Sequence, residues 1–122
     1  MNSTQKAQQL EDRLIDFAVR IIKVADSLSS SYGGQHFSKQ IIRSGSAPAL
    51  LYGEARGAES LKDFRHKSSL VLKELRETII NLKIISRAKL IRADLLNSVI
   101  SENNELISIF VATVRSLDKK SA

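Results

Sequence analysis

The sequence predicts an all-α protein, an up-down antiparallel four-helix bundle, and three observations carry that expectation. Apolar residues recur at steps of three and four along most of the chain, the period that lines up one helix face. No stretch alternates convincingly with a period of two, the mark of a half-buried strand. One proline and five glycines are sparse punctuation for 122 residues, so connections are short and successive helices pack antiparallel. A chain of this length makes a single domain over residues 1–122.

The first helix is expected at about residues 10–29, with Leu10, Leu14, Phe17, Ile21, Val24 and Leu28 on one stripe. It stops at Ser-Ser-Ser-Tyr-Gly-Gly, a turn signal. The second, about 35–56, puts Phe37, Ile41, Ser44, Pro48, Leu51 and Ala55 on one face, and Gly57 follows where a left-handed cap is expected. Pro48 removes the hydrogen bond to the Ser44 carbonyl and predicts a kink. Around it Gly45, Ser46, Ala47 and Ala49 are small enough for another helix to approach closely. The third, about 61–88, is the clearest: Ser60 with Asp63 resembles a capping box, then Leu61, Phe64, Ser68, Leu72, Leu75, Ile79 and Leu82 repeat. The fourth, about 94–117, starts from Asp94 as N-cap and turns Val99, Leu106, Phe110, Val114 and Leu117 inward. Asn103 falls in the middle of that apolar face, where a buried amide specifies how helices pair. The first few residues and the tail Asp118–Ala122 are expected to fray.

Two helices carry more apolar surface than one buried stripe needs. Ile15, Ala18 and Ile22 form a second row on the first helix, and Ile42, Ala49 and Tyr52 lie off the core face of the second. Either the core stripes are wide or these six residues are the contact of a cyclic homo-oligomer.

Composition narrows the function. Hydrophobic residues at 43% and charged residues at 26% are ordinary for a globular chain and argue against disorder. No apolar run approaches the roughly 18 residues of a membrane span. The opening MNSTQKAQQLEDR is polar and mixed in charge, which predicts neither a signal nor a transit peptide. Without cysteine there is no disulfide, thiolate nucleophile or zinc–sulfur site. A cytoplasmic protein without membrane partners is the expectation.

The net charge of +6 is concentrated. Arg56 to Arg92 holds ten basic and four acidic residues, which accounts for the whole excess. On the third helix Lys62, Arg65, Ser69, Lys73, Arg76, Ile80, Lys83 and Arg87 fall on one flank, and six of these eight are basic. Asp63, Glu74 and Glu77 fall on the opposite flank. At 1.5 Å per residue this ridge is roughly 38 Å long, enough to follow a nucleic-acid backbone. The plainer reading is a row of stems packed along the core edge with heads in water. Aromatic residues are few, four Phe, two Tyr and no Trp, which favours backbone or shape recognition over base stacking.

A catalytic centre is not legible. His36 and His66, the only histidines, have no carboxylate at helical metal-binding spacing. Gly33-Gly34 is too short for a phosphate loop, and the serines have no plausible base. The expectation is no enzyme, cofactor, metal or small-molecule substrate.

Gln40-Ile41-Ile42-Arg43-Ser44-Gly45-Ser46, Gly53-Glu54-Ala55, Ala58-Glu59-Ser60, Asp63-Phe64, His66-Lys67 and Leu72-Lys73-Glu74-Leu75-Arg76-Glu77-Thr78 carry a resemblance. Over roughly residues 14–90 the chain resembles the bacterial four-helix-bundle proteins related to those encoded in intervening sequences of 23S rRNA genes. The resemblance implies antiparallel bundles assembled as homopentamers, with a basic surface and nucleic-acid binding. It reaches more distantly to the accessory protein of diversity-generating retroelements, which binds nucleic acid and a reverse transcriptase. Ala49-Leu50 and Ile79-Ile80-Asn81 depart from the family pattern, which has Ala-Asn and an aromatic there. Arg43, Lys73 and Arg76 match it, and the resemblance assigns them polyanion contacts. Lys62, Arg65, Lys83 and Arg87 join the candidate surface by spacing alone. Three readings follow: a homo-oligomer that binds structured RNA or DNA, a scaffold for an acidic protein such as a reverse transcriptase, or a purely structural bundle.

Overall fold

Four long helices build the chain in the computed structural model, which describes residues 2–121. They are α1 (Ser3–Ser27), α2 (Tyr32–Arg56), α3 (Leu61–Arg87) and α4 (Asn97–Ser121), with a short 3-10 turn at Ala93–Leu95 before α4. Each packs on the next in up-down order, and α4 returns to α1 along a looser seam. No strand occurs among the described residues.

The helix starts follow from caps. Asn2 accepts the Gln5 amide at 2.8 Å and donates its own amide to Gln5 Oε1 at 3.0 Å, a complete capping box. So α1 begins at Ser3, seven residues before its apolar stripe, and its first turns are ordered helix, not a frayed end. Ser31 Oγ accepts the Gly34 amide at 3.1 Å, which starts α2 at Tyr32 and takes both glycines of the expected turn into its first turn. Gly34 is obligatory there, because a Cβ would lie 1.8 Å from the Ser29 carbonyl oxygen. Ser60 Oγ accepts the Asp63 amide at 3.0 Å and starts α3.

The ends differ from expectation in three places. Gly57 closes α2 at φ −95°, so no left-handed cap is used there. The left-handed residue is Lys89, φ 56°, which lets the Lys89 and Leu90 amides reach the Ser86 and Ile85 carbonyls, both at 3.1 Å. Leu90 then packs on the core, and its carbonyl accepts the Ser29 amide at 3.0 Å, joining the two loops at that end. Asp94 lies inside the 3-10 turn and pairs with Arg92 at 3.3 Å, while α4 starts at Asn97. Asp118 to Lys120 continue α4 as helix, with Asp118 tied to Arg65; Ala122, also expected to fray, lies outside the described residues.

Leu14, Phe17 and Ile21 of α1, Ile41 of α2, Val71, Leu75, Leu82 and Ile85 of α3, and Leu106 and Phe110 of α4 fill the core. Each large side chain so buried contributes about 1.5–3 kcal/mol. α2 stays helical through the buried Pro48. The small residues near it do admit a neighbour, since Ile21 of α1 sits 2.7 Å from where a Gly45 Cβ would be. Two polar links cross the core: Thr78 Oγ1 to Ser44 Oγ at 2.9 Å, and Asn103 Nδ2 to the Leu75 carbonyl at 3.0 Å. The second places Asn103 in the interhelical role its position predicts.

Candidate nucleic-acid interface

α3 presents its ridge because Val71, Leu75, Ile79 and Leu82 are committed to the core. A helix has one opposite face, and there Lys62, Lys73, Arg76, Lys83 and Arg87 are exposed. None of these five cations takes part in an ion pair among the described residues. Ile80 (54% exposed) and Ile84 (41%) interrupt the row and form a shallow cleft with Lys83 and Arg87.

Two of the seven predicted contacts are engaged elsewhere. Arg65 holds Asp118 of α4 through Nε to Oδ1 at 2.7 Å and Nη2 to Oδ2 at 3.4 Å. That hydrogen bond raises the Arg65 pKa and lowers that of Asp118. Arg43 of α2 reaches Glu74 at 3.1 Å and also binds Glu77, both on the flank of α3 opposite the ridge. The structure therefore does not bring Arg43 to the ridge. It sets one guanidinium between the two acids Glu74 and Glu77 and leaves Lys62, Lys73, Arg76, Lys83 and Arg87 without an ion pair among the described residues. Sequence spacing sorts the charges of α3 by flank, but it cannot say which neighbour answers each flank.

The six predicted oligomer-contact residues also divide. Ile15 (46% exposed), Ile22 (43%) and Ile42 (38%) are open, and they flank the seam where Ile21 meets Gly45. Ala18 and Ala49 are half-buried beside them, and Ala49 packs on the core. Val19, one turn after Ile15, is exposed on α1 as well and was absent from the predicted row. Tyr52 is a correction: it is 5% exposed, with its ring edge-on to Phe110 at 5.6 Å. Four residues after Pro48 and three before Ala55, Tyr52 returns to the core face of α2 and is buried within one chain.

His36 is exposed and edge-on to Phe37, and His66 is exposed on α3. Among the described residues no group of three or more His, Asp or Glu could hold a metal ion, and no helix is long and apolar enough to cross a membrane.

The fold and sequence have relatives. A crystal structure of a protein of unknown function from the S23 ribosomal protein family of Bacteroides thetaiotaomicron superposes with a TM-score of 0.80 at 30% identity. The match covers 86% of this chain and 97% of that one. No curated protein matches the sequence. The model of the 23S rRNA-intervening sequence protein family matches residues 6–112. The span takes in all of α2 and α3 and most of α1 and α4, and the chain belongs to that family.

Proposed function

We propose that the chain is a non-catalytic nucleic-acid-binding protein that holds structured RNA or DNA on the outer face of α3. The observation that carries this reading is the sorting of charge. Lys62, Lys73, Arg76, Lys83 and Arg87 are exposed without acidic partners, whereas Glu74 and Glu77 are both bound by Arg43. A row of uncompensated cations attracts a polyanion and releases its counterions on binding. The exposed Ile15, Val19, Ile22 and Ile42 support a homo-oligomer, for which the family resemblance implies five subunits. Repetition of a weak site around a ring multiplies affinity through avidity.

Binding of a labelled structured RNA across a salt series tests the reading. Five phosphate contacts on a duplex predict a log K against log salt slope of about −4 to −5. A flat salt response, or no binding at low salt, contradicts it. Ile80 and Ile84 favour a second reading, since two exposed aliphatic side chains among cations suit an acidic protein partner such as a reverse transcriptase. Co-purification with a protein that survives nuclease treatment distinguishes that case.

A further inference from the structure

At the end of the bundle where α1 and α3 begin and α2 ends, a cleft of about 510 Å³ opens beside Tyr52, and its size falls in the range of small-molecule sites. Tyr52 is the unusual residue in it. The side chain is 5% exposed and its ring is fixed by Phe110, no group among the described residues hydrogen-bonds its hydroxyl, and that hydroxyl is not among the fully buried unpartnered atoms, so the solvent of the cleft reaches it. A buried tyrosine normally satisfies that hydroxyl within the fold. Here it is left to the cleft that Tyr52 lines.

The surroundings supply further donors. Arg56 lines the same cleft, held by Glu11 at 3.4 Å and by Gln8 Oε1 at 2.9 Å. Ser3 and Thr4 of α1 and Leu61 of α3 also line it. These are first-turn residues, whose amides have no partner inside their own helices and carry the positive end of the helix dipole. Ala55, Leu61 and Phe64 give an apolar wall, and Glu59 on the rim disfavours a ligand with several negative groups.

We propose that this cleft binds a small organic anion, one phosphate or carboxylate group on an apolar body. The oxyanion accepts from the Tyr52 hydroxyl and the two helix N-termini, near the Arg56 guanidinium, and the body lies against Ala55, Leu61 and Phe64. The site is separate from the α3 ridge and does not depend on nucleic-acid binding.

Tyrosine emission reads the site directly, because the chain has two tyrosines and no tryptophan. Tyr32 is 89% exposed at the start of α2, so Tyr32→Phe leaves Tyr52 as the sole emitter. The probes are hexyl phosphate, hexanoate, inorganic phosphate and hexanol, none of which absorbs where tyrosine does. A saturable change with hexyl phosphate or hexanoate, absent with hexanol, is expected, and the stronger of the two identifies the anionic group. Calorimetry with Tyr52→Phe is expected to show about tenfold weaker binding, the loss of one charge-assisted hydrogen bond. The variant keeps the ring against Phe110, and an unchanged thermal melt confirms that it folds. Arg56→Gln is expected to weaken binding as well. Equal responses to hexanol and hexyl phosphate overturn the proposal. So does the lack of any saturable response in the millimolar range, or wild-type affinity in Tyr52→Phe.

Discussion

Arg13 on α1 and Glu102 on α4 are joined by two hydrogen bonds, Nε to Oε2 at 2.7 Å and Nη2 to Oε1 at 2.6 Å, across the loosest seam of the bundle. Glu105 also meets Arg13, and Arg20 reaches Ser98 Oγ at 2.8 Å on the same seam. The side-chain hydrogen bond from Arg13 holds the Glu102 carboxyl below its ordinary pKa, with burial opposing, and raises that of Arg13. A carboxyl depressed in the fold adds stability above its unfolded pKa and loses it as pH falls through the folded value. Glu102→Gln is therefore expected to cost about 1 kcal/mol at pH 7. Urea melts of wild type and variant should converge as pH drops below about 4, the ordinary Glu range. A difference that persists unchanged well below that pH contradicts the assignment.

The glycines of α2 give a graded series. A Cβ at Gly34 meets the Ser29 backbone at 1.8 Å, one at Gly45 meets Ile21 at 2.7 Å, and one at Gly53 has only Glu11 Oε1 at 3.8 Å. Gly53→Ala should stabilise by about 0.5–1 kcal/mol, the usual gain in a helix interior. Gly45→Ala should lose about 1–3 kcal/mol to overpacking, offset in part by that gain. Gly34→Ala should be the worst, because backbone cannot yield as a side-chain tip can. Thermal melts of the three variants give the order directly.

Lys89 occupies φ 56° to close α3, a conformation that costs a non-glycine residue roughly 1 kcal/mol. Lys89→Gly is expected to raise stability by about 0.5–1 kcal/mol. If denaturant melts show no gain, the left-handed closure after Ala88 is not what ends the helix.

The exposed row on α1 is where oligomer contact is expected. Ile15→Asp with Ile22→Asp should lower the mass measured by light scattering while leaving helicity intact, since neither side chain belongs to the core. An assembled wild type whose mass the double substitution leaves unchanged places the contact elsewhere.

The sequence revealed apolar faces more readily than polar structure. Leu75, Leu82 and Phe110 sit in the core as their spacing predicts, because a 3.6-residue period needs only burial to be read. The start of α1 escaped because Ser3 to Gln9 carry no such stripe, and the signal there was Asn2 three residues ahead of Gln5. Lys89 escaped because a left-handed closure is normally announced by glycine. Tyr52 returns to the core face of α2, four residues after Pro48 and three before Ala55, so its burial is written in the spacing itself. Arg43 was not legible, because spacing along one helix does not reveal that Glu74 and Glu77 of α3 will meet it. The exposure of Lys62, Lys73, Arg76, Lys83 and Arg87 on one face of α3 follows from their spacing alone, since sorting along a single helix requires no tertiary knowledge.

The most direct test of the account compares two kinds of cation in one binding experiment. Fluorescence anisotropy of a labelled structured RNA is followed across salt for wild type, Arg76→Glu/Lys83→Glu and Arg43→Gln, each checked for helicity and mass. The account predicts that the double variant binds far more weakly at low salt, with a slope shallower by about 2, one unit per phosphate contact removed. Arg43→Gln should bind with the wild-type slope, because that guanidinium is already held by Glu74 and Glu77. Wild-type binding by the double variant, or failure of wild type itself to bind at low salt, contradicts the claim that α3 carries a nucleic-acid surface.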